Sequence, residues 1–420
     1  MLLFSRGIRL TIHKKPMSQL PITDLPPVDR VYVPLAVGQS VHTPAVEDFD
    51  TVLRGQRLGQ PDGPDGLPVL SPVVGVLAGL KPFQHPLYGP LQCAVLDCAV
   101  STPEPLAAAD LPQSLSPDEL IDCCREAAIL DELDFTPLCD KLAAWRDHGY
   151  AALVVNAVEQ ETFCCSAQAV LKERGGDLLR GLQLAARVLG IPDVRIVVCL
   201  KRKQYHRLCD QLGHDVVYQV EGPKYPREFC PPEGVAGPVC TMGAQACLAL
   251  FDALARGLPQ ITGVVTVAGD AVERPQNVRV PFGATVEDVL HFCGLKGTPG
   301  RIVLGDNMTG TAAPDPFIPI LPGMTCVLAF TQAPVVPEHV CIHCGRCAQV
   351  CHMRLLPYGI SQRLENMQYE RLAELHAEEC DGCGACSYVC PAGRDVAVRV
   401  LEAQEAAGNI FLDWGDEEDE

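Results

Sequence analysis

The sequence has no run of about 18 or more apolar residues, which is the length that a membrane-spanning helix requires. Its start, MLLFSRGIRLTIHKK, has only four residues before polar ones intrude, whereas a signal peptide needs a longer apolar stretch. These two absences exclude a membrane-spanning protein and a secreted one. We therefore expect a cytoplasmic protein that reaches the inner face of a membrane only through its partners.

Basic residues are also too few for a nucleic-acid-binding protein. The chain has 33 Lys and Arg against 52 Asp and Glu, a net charge of −19, and binding to phosphates requires a basic face. Acidic residues are concentrated in DWGDEEDE at the end of the sequence. We interpret residues 401–420 as a solvated acidic tail, with docking of a basic partner as the alternative.

Cysteine is the residue type that the sequence has in excess, with 22 in 420 residues. In a reducing compartment they indicate metal ligands, reactive thiols or small buried apolar residues rather than disulfides. Only eight have a spacing that decides among these. We interpret the adjacent pairs Cys123–Cys124 and Cys164–Cys165 as apolar fillers in helix faces, with redox-active thiols as the alternative.

Two similar stretches, CIHCGRCAQVC from Cys341 and CDGCGACSYVC from Cys380, each place four cysteines in eleven residues. The spacing of two, two and three is typical of two-cluster ferredoxins, in which the fourth cysteine of each repeat binds the other cluster. The predicted ligands of one [4Fe–4S] cluster are Cys341, Cys344, Cys347 and Cys390. Those of the second are Cys380, Cys383, Cys386 and Cys351.

Residues around these cysteines agree with iron–sulfur binding. Gly345, Gly382 and Gly384 let the backbone approach inorganic sulfide. Pro391 follows the last cysteine of the second repeat, whereas His352 stands at that position in the first. Structural zinc sites also use Cys-x2-Cys pairs, but they separate two pairs by a longer spacer. The sequence therefore predicts two [4Fe–4S] clusters that relay single electrons.

The hydrophobic patterns of the remaining chain predict a multidomain protein of the α/β plus α+β class. Ser116, Pro117 and Glu119 predict the start of a helix by a capping box, and this helix is predicted to continue to residue 133. A further helix is predicted over residues 241–259. The predicted parts are an N-terminal extension (1–30), a carrier-like β domain (31–100), a linker (101–117), an α/β domain (118–262), a small α+β unit (263–332) and a two-cluster ferredoxin domain (333–400).

In this order the parts resemble those of RnfC, a component of the Rnf electron-transport complex. The residues that carry the resemblance are VLRGQRLG, LSPVVGVL, LVVNAVEQET, KYP, VTVAGDAVERPQNVRVPFGATVEDVL and both cysteine repeats. The resemblance implies that residues 118–262 are like the flavin subunit of respiratory complex I and that residues 263–332 are a soluble-ligand-binding β-grasp (SLBB) unit. The chain is also similar to the PrdC branch of the family, which serves proline reductase.

The better-known members of this family bind FMN and take a hydride from NADH. They use a glycine-rich loop before the strand that carries an Asn-Ala-x-Glu-x-Glu motif. This chain retains the motif through three candidate cofactor-binding residues, Asn156, Glu159 and Glu161. The loop before it, AAILDELDFTPLCDKL, has no glycine, and its side chains block access of a phosphate to backbone N–H groups.

Acidic residues in the same loop add repulsion of a phosphate. They are Asp131, Glu132 and Asp134, and Phe135 and Pro137 mark the vestige of the family's loop. FMN and NADH are therefore doubtful cofactors, and we interpret the retained motif as a structural remnant.

The predicted function is electron transfer through two clusters, from a reduced carrier or flavoprotein to a reductase, with D-proline reductase as the candidate acceptor. Such a protein is a component of a redox system rather than a complete enzyme, and its partners are redox proteins. One alternative is an FMN-containing, NADH-oxidising subunit of an Rnf-like complex. The other is a scaffold whose clusters only staple the fold.

Overall fold

The computed structural model describes residues 6–37, 40–61, 63, 66–99, 110–146, 148–220, 224–226, 234–333 and 336–415. Most of the predicted linker (101–109) and the last residues of the predicted acidic tail (416–420) lie outside these ranges. Among the described residues, no helix has the length and apolar character needed to cross a membrane.

The N-terminal part is built from short strands and one long hairpin. The strands are β1 (Thr23–Asp24), β2 (Arg30–Pro34), β3 (Ala36–Val37), β4 (Ser40–Val41), β5 (Thr43–Pro44), β6 (Thr51–Val52), β7 (Arg57–Gln60), β8 (Val69–Leu70), β9 (Gly75–His85) and β10 (Gly89–Cys98), with a 3₁₀ turn at Met17–Gln19. Strands β2, β10, β9 and β6 form an antiparallel sheet in that order, and β5, β7 and β8 form a second. The apolar side chains of the two sheets pack together in one cluster, so this part has a β-sandwich core.

The α/β part follows the predicted alternation of helices and strands. Its elements are α1 (Pro117–Glu126), α2 (Leu138–Trp145), β11 (Ala152–Ala157), α3 (Ser166–Val188), β12 (Asp193–Val198), α4 (Arg202–Leu212), β13 (Val217–Gln219), β14 (Val239–Gly243) and α5 (Ala244–Arg256). All four strands are parallel, in the order β13-β12-β11-β14. The apolar runs are continuous because both faces of the sheet are buried.

Two details of this part differ from the predicted pattern. The capping box of Ser116 and Glu119 is confirmed, but the helix that was predicted to continue to residue 133 ends at Glu126. Ala128 adopts a left-handed backbone conformation with φ of 52°, which an α-helix does not tolerate. The sequence also placed Thr241–Gly243 in a helix, whereas these residues belong to β14.

The SLBB part contains β15 (Thr262–Ala268), β16 (Gln276–Pro281), α6 (Val286–Phe292), β17 (Arg301–Leu304), β18 (Thr311–Ala313) and β19 (Cys326–Phe330). Its sheet has the order β1-β16-β15-β19-β17-β18, so that β1, from the segment predicted to be an irregular extension, is its edge strand. One continuous apolar cluster joins this sheet to the N-terminal sandwich. The two parts therefore share a core.

The C-terminal part is small and helical. Its helices are α7 (Arg346–Val350), α8 (Pro357–Glu365), α9 (Ala385–Tyr388) and α10 (Val396–Gly415), with 3₁₀ turns at Tyr369–Arg371, Ala373–Leu375 and Ala377–Glu379. Helix α10 continues beyond residue 400, where the sequence predicted the acidic tail. Ala403 and Ala407 are buried against Ile360 and Leu372, so the first residues of the predicted tail belong to the core of this part.

Candidate iron–sulfur centre

The two cysteine repeats fold in the same way. In each, a loop carries the first two cysteines and leads into a short helix, α7 or α9, which carries the third. Gly345 and Gly384 precede these helices with φ of 72° and 74°, a conformation that favours glycine. Gly382 has φ of 70°, and His343 takes the equivalent place in the first repeat with φ of 53°. The repeats are therefore alike in backbone geometry as well as in spacing.

The first predicted ligand set, Cys341, Cys344, Cys347 and Cys390, lines one partly open cavity. We call these four residues the outer set. Cys390 comes from the second repeat, so the structure brings together the cysteines that the spacing assigned to one cluster. Tyr358, Gln362 and Arg394 complete the wall of the cavity. Four thiols around one such space fit the donor set of a [4Fe–4S] cluster.

The second predicted set, Cys351, Cys380, Cys383 and Cys386, lies beside the first, and we call it the inner set. Burial raises the pKa of the Cys386 thiol to about 12, and negative charge on Cys380, Cys347 and Cys351 adds to the increase. Burial also raises the pKa of Cys383 to about 12. Buried neighbouring thiols of this kind become thiolates only when a cation compensates their charge, as the iron of a cluster does.

An imidazole–carboxylate pair adjoins the inner set. His352, at the position of the missing proline, lies with its Nε2 atom 2.7 Å from the Asp381 carboxylate. Asp381 also accepts a hydrogen bond from the Cys383 backbone N–H at 3.2 Å. The residue that departs from the ferredoxin pattern therefore helps to hold the loop of the second repeat.

The rest of the protein covers the inner set. The hydroxyl of Tyr225, in the KYP segment, donates a hydrogen bond to the Cys383 carbonyl at 2.8 Å. Near the N-terminus, Arg6 donates to the Ala348 carbonyl at 3.0 Å and Gly7 donates to the Val350 carbonyl at 2.8 Å. These bonds attach the cluster domain to the body of the protein on the side of the inner set.

The outer set reaches the protein surface through one of its members. Cys344 is exposed, and the apolar side chains of Val340 and Ile342 beside it are 84% and 66% exposed. Arg394 and Arg399 pair with Glu338 and Glu365 along the edge of this region. We call Val340, Ile342 and Cys344 the outer patch.

The three predicted remnants of the cofactor site are each engaged within the chain. Asn156, in β11, accepts a hydrogen bond from the Val158 N–H at 3.1 Å. Glu159 accepts bonds from Ala167 and Gln168 at the start of α3, at 2.9 and 3.2 Å. Asn156 and Glu159 therefore hold local structure.

The third remnant, Glu161, links two domains. Its carboxylate accepts a bond from the Met308 N–H at 2.7 Å in a loop of the SLBB part. A β-carbon at Gly384 would lie 2.7 Å from the Met308 carbonyl, so this loop also touches the second cysteine repeat. Sequence reasoning missed Asp306 in the same loop, a buried carboxylate that accepts bonds from Phe163 and Cys164 at 2.9 and 2.6 Å. No spacing rule marks such a residue.

The acidic loop binds the start of α5. The Glu132 carboxylate accepts bonds from Gln245 and Ala246 at 2.7 and 3.0 Å, and Asp131 accepts a bond from Gly243 at 2.9 Å. Burial raises the pKa of Glu132 to about 7, with a further contribution from the negative charge of Asp131. Phe135, predicted to be a vestige of the family's loop, has φ of 59° and packs against Gly323.

Three of the four cysteines in the adjacent pairs are buried, and Cys123 is partly buried. Cys124 and Cys165 are 0% exposed, and burial raises the pKa of Cys165 to about 12. Whether these residues are apolar fillers or redox-active thiols stays a prediction. Cys123 and Cys124 lie in α1 as expected, but Cys164 and Cys165 precede α3 instead of lying on a helix face.

Comparison with known families assigns three parts of the chain. The RnfC barrel sandwich hybrid domain matches residues 2–100, the SLBB domain matches residues 264–312, and the 4Fe-4S dicluster domain matches residues 340–394. The RnfC component of an ion-translocating oxidoreductase complex of Pseudomonas aeruginosa is 32% identical over 387 residues, which are 84% of this chain and 49% of that relative. The chain belongs to the RnfC family.

Other relatives match this RnfC-family chain over more of their length. The corresponding component of a proton-translocating ferredoxin:NAD(+) oxidoreductase complex of Clostridium ljungdahlii is 27% identical over 85% of this chain and 83% of its own length. Its counterpart in the Na(+)-translocating complex of Acetobacterium woodii is 25% identical over 97% and 98%. The chain thus spans about half the length of the Pseudomonas relative and nearly all of the Acetobacterium one.

Among solved structures, an NAD+-reducing [NiFe]-hydrogenase in the H2-reduced state is similar, with a TM-score of 0.47 and 19% identity over 71% of this chain and 63% of that chain.

The family matches confirm the predicted fold class and the two [4Fe–4S] clusters. The boundaries of the domains and the assignment of individual cysteines to clusters stay predictions, as does the PrdC branch.

The contact of Tyr225 with the inner set leads to a prediction. In Tyr225→Phe, loss of the hydrogen bond to the Cys383 carbonyl is expected to destabilise the contact between the KYP segment and the cluster domain by about 1 kcal/mol. A chelator should then remove iron about five times faster. The measurement is the loss of iron–sulfur absorbance with time. Tyr369→Phe, at an exposed position of the same domain, is the control. Equal rates in the three proteins would show that the bond does not protect the inner set.

Proposed function

We propose that this chain is the electron-relay subunit of an Rnf-type complex and passes single electrons between a ferredoxin-type carrier and an NAD-linked partner. The observation that carries the proposal is the placement of the two ligand sets side by side, with the inner set against the body of the protein and the outer set at the surface. A [4Fe–4S] cluster, when bound, accepts and releases one electron at a time.

The chain's own residues provide what such a relay requires. The two helices that carry Cys347 of the outer set and Cys386 of the inner set, α7 and α9, pack together. The glycine-bearing loops give backbone N–H groups access to the metal–sulfur sites, and such N–H groups tune reduction potentials. The arrangement therefore supports transfer between the two sites within one domain.

The names of the relatives favour an Rnf-type setting over D-proline reductase as the acceptor. The Clostridium and Acetobacterium relatives are subunits of ferredoxin:NAD(+) oxidoreductase complexes that translocate ions. Association with a membrane through partner subunits is part of this proposal.

The relay has a direct test. Protein purified and handled anaerobically is expected to contain about eight irons per chain and to show two interacting electron paramagnetic resonance signals after reduction with dithionite. Reoxidation should remove both signals. Iron that stabilises the fold but gives no reducible signal would favour the scaffold alternative instead.

A second candidate is an FMN-containing subunit that oxidises NADH itself. The NAD(+) in the names of two relatives and the retained Asn156, Glu159 and Glu161 favour it. Flavin extraction and anaerobic titration with NADH distinguish the candidates. Stoichiometric flavin that is bleached by NADH supports this second function, whereas clusters that remain oxidised with NADH and become reduced with ferredoxin support the relay alone.

The outer patch is the proposed docking place of a redox partner. Burial of an exposed Val or Ile side chain contributes about 1.5–3 kcal/mol, so Val340→Lys and Ile342→Lys are each expected to slow reduction by ferredoxin about tenfold or more. The iron content should not change, because the ligands are retained. The measurement is the second-order rate constant in stopped flow.

Val41→Lys is a matched control, because Val41 is 65% exposed in the β domain, away from the cysteine repeats. Its rate should equal that of the unmodified protein. If the lysines at 340 and 342 have no larger effect than the lysine at 41, the partner docks elsewhere.

A further inference from the structure

The carboxyl edge of the parallel sheet contains a point where the strand order reverses. Strands β12 and β13 lie on one side of β11, and β14 lies on the other. In open parallel sheets, ligands bind in the crevice at such a switch point. Asn156 at the end of β11 is in register with Gly243 at the end of β14, and α5 begins at the next residue. A nucleotide site, if retained, is expected here.

A carboxylate of the chain already occupies this position. The first amides of a helix have no partner within the helix and favour an anion such as phosphate. At α5, the amides of Gln245 and Ala246 donate to the two carboxylate oxygens of Glu132 at 2.7 and 3.0 Å. The amide of Gly243 donates to Asp131. Three backbone donors at the switch point are therefore satisfied from within.

The backbone amides at the start of α3, the second helix at this edge, also bind a carboxylate of the chain. Glu159 binds the amides of Ala167 and Gln168 in the first turn of α3. Helices α3 and α5, which follow the neighbouring strands β11 and β14, thus each start against a carboxylate of this chain rather than against an open anion position.

The loop that delivers Glu132 is held in place by specific contacts. Lys141 binds Asp131 and Asp134, each at 2.7 Å, so its positive charge compensates two of the loop's own acids. Gly243 packs directly against the Glu132 carboxylate, and a β-carbon at that position would overlap with it. A phosphate placed on the same amides would have to displace Glu132 and lie beside Asp131. The residues present do not fit the phosphate of FMN or of a nicotinamide nucleotide.

We propose that Glu132 is a built-in substitute for a nucleotide phosphate. It closes the switch-point crevice, so the α/β domain takes no flavin, and electrons enter and leave through protein partners at the two ligand sets. This inference rests on the proposed relay function and narrows it, because it assigns the oxidation of NADH to a partner.

The first test uses the unmodified full-length protein with its clusters. Flavin is extracted from anaerobically purified protein, and FMN is then titrated while its fluorescence is followed. We expect no flavin in the purified protein and no saturable quenching. About one flavin per chain, or saturable quenching by the protein, would overturn the proposal.

The second test opens the site. Thermal midpoints of the holoprotein are measured in inorganic phosphate and in chloride of equal ionic strength. Because a ligand that binds the folded state stabilises it, phosphate should raise the midpoint of Glu132→Ala by about 2 °C or more. The unmodified protein and Glu132→Gln, which keeps an acceptor oxygen, should show no such difference.

Glu119→Ala is the matched control, because Glu119 also belongs to a helix start but is exposed. It should not become sensitive to phosphate. An equal phosphate response in Glu119→Ala, or a response already present in the unmodified protein, would contradict the role of Glu132. If Glu132→Ala does not fold, the flavin test on the unmodified protein still decides.

The outcomes separate this inference from the relay function. Flavin bound to a protein with two reducible clusters refutes the role of Glu132 and leaves the relay intact. Absence of reducible clusters refutes the relay, whatever the flavin content.

Discussion

Cys390→Ala is expected to reduce the iron content from about eight to about four per chain and to leave the same electron paramagnetic resonance spectrum as Cys341→Ala. The reason is the crossing of the repeats, since Cys390 of the second repeat lies in the cavity with Cys341, Cys344 and Cys347. Loss of any of these thiolates leaves three ligands for one cluster. Cys351→Ala should likewise resemble Cys380→Ala, with the other cluster retained.

The comparison of residual spectra makes this prediction specific. If each repeat held its own cluster, Cys390→Ala would resemble Cys380→Ala instead, and the crossed assignment would be wrong. Cys293→Ala is a suitable control, because Cys293 is fully buried in the core that the SLBB part shares with the β domain. It should retain about eight irons and both signals.

Gly243→Ala is expected to destabilise the α/β domain by about 2 kcal/mol or more. The new methyl group would overlap with the Glu132 carboxylate and force it away from α5. Hydrogen bonds that involve a charged group contribute about 1.5–3 kcal/mol each, and the amides of Gln245 and Ala246 would lose their partner. The measurement is the thermal midpoint, which should fall by about 4 °C or more.

A double-mutant cycle checks that the damage passes through Glu132. In the Glu132→Ala background the added methyl group meets no carboxylate, so Gly243→Ala should cost much less there than in the unmodified protein. Residues in direct contact typically show coupling of about 0.5–3 kcal/mol. Additive effects would mean that Gly243 is required for another reason. Gly257→Ala is not a usable control, because Gly257 has φ of 62° at the end of α5 and alanine would be strained there.

The cysteine pattern was readable from the sequence because its information is local. Three ligands of each set lie within seven residues, and the loops around them have few conformations that direct the thiols to one point. The crossed assignment of Cys351 and Cys390 is likewise a prediction from spacing, because a short helix at the third cysteine of each repeat directs the fourth toward the other cluster. In the structure these helices are α7 and α9, as the spacing requires.

Other features were not readable because they depend on distant residues. The helix over α1 was predicted from its cap, but its end at Glu126 was missed. The residues that follow make their hydrogen bonds to α5, more than 100 positions away in sequence. Similarly, β1 pairs with β16 across about 250 residues, and no local pattern marks the core shared by the two β-rich parts.

The acidic loop of residues 131–134 depends both on its sequence and on its tertiary contacts. From the sequence alone, missing glycines and added carboxylates argued that a phosphate would be repelled, a statement about charge and steric access that needs no coordinates. Where those carboxylates go was decided by the tertiary structure, which brings the loop to the first turn of α5 and turns a repulsive group into the helix's own anion. Composition and spacing determined the chemistry of the sulfur ligands and the negative charge of the acidic loop. Packing between distant segments decided which backbone N–H groups the loop's carboxylates bind, because hydrogen bonds between distant segments form only when the chain folds.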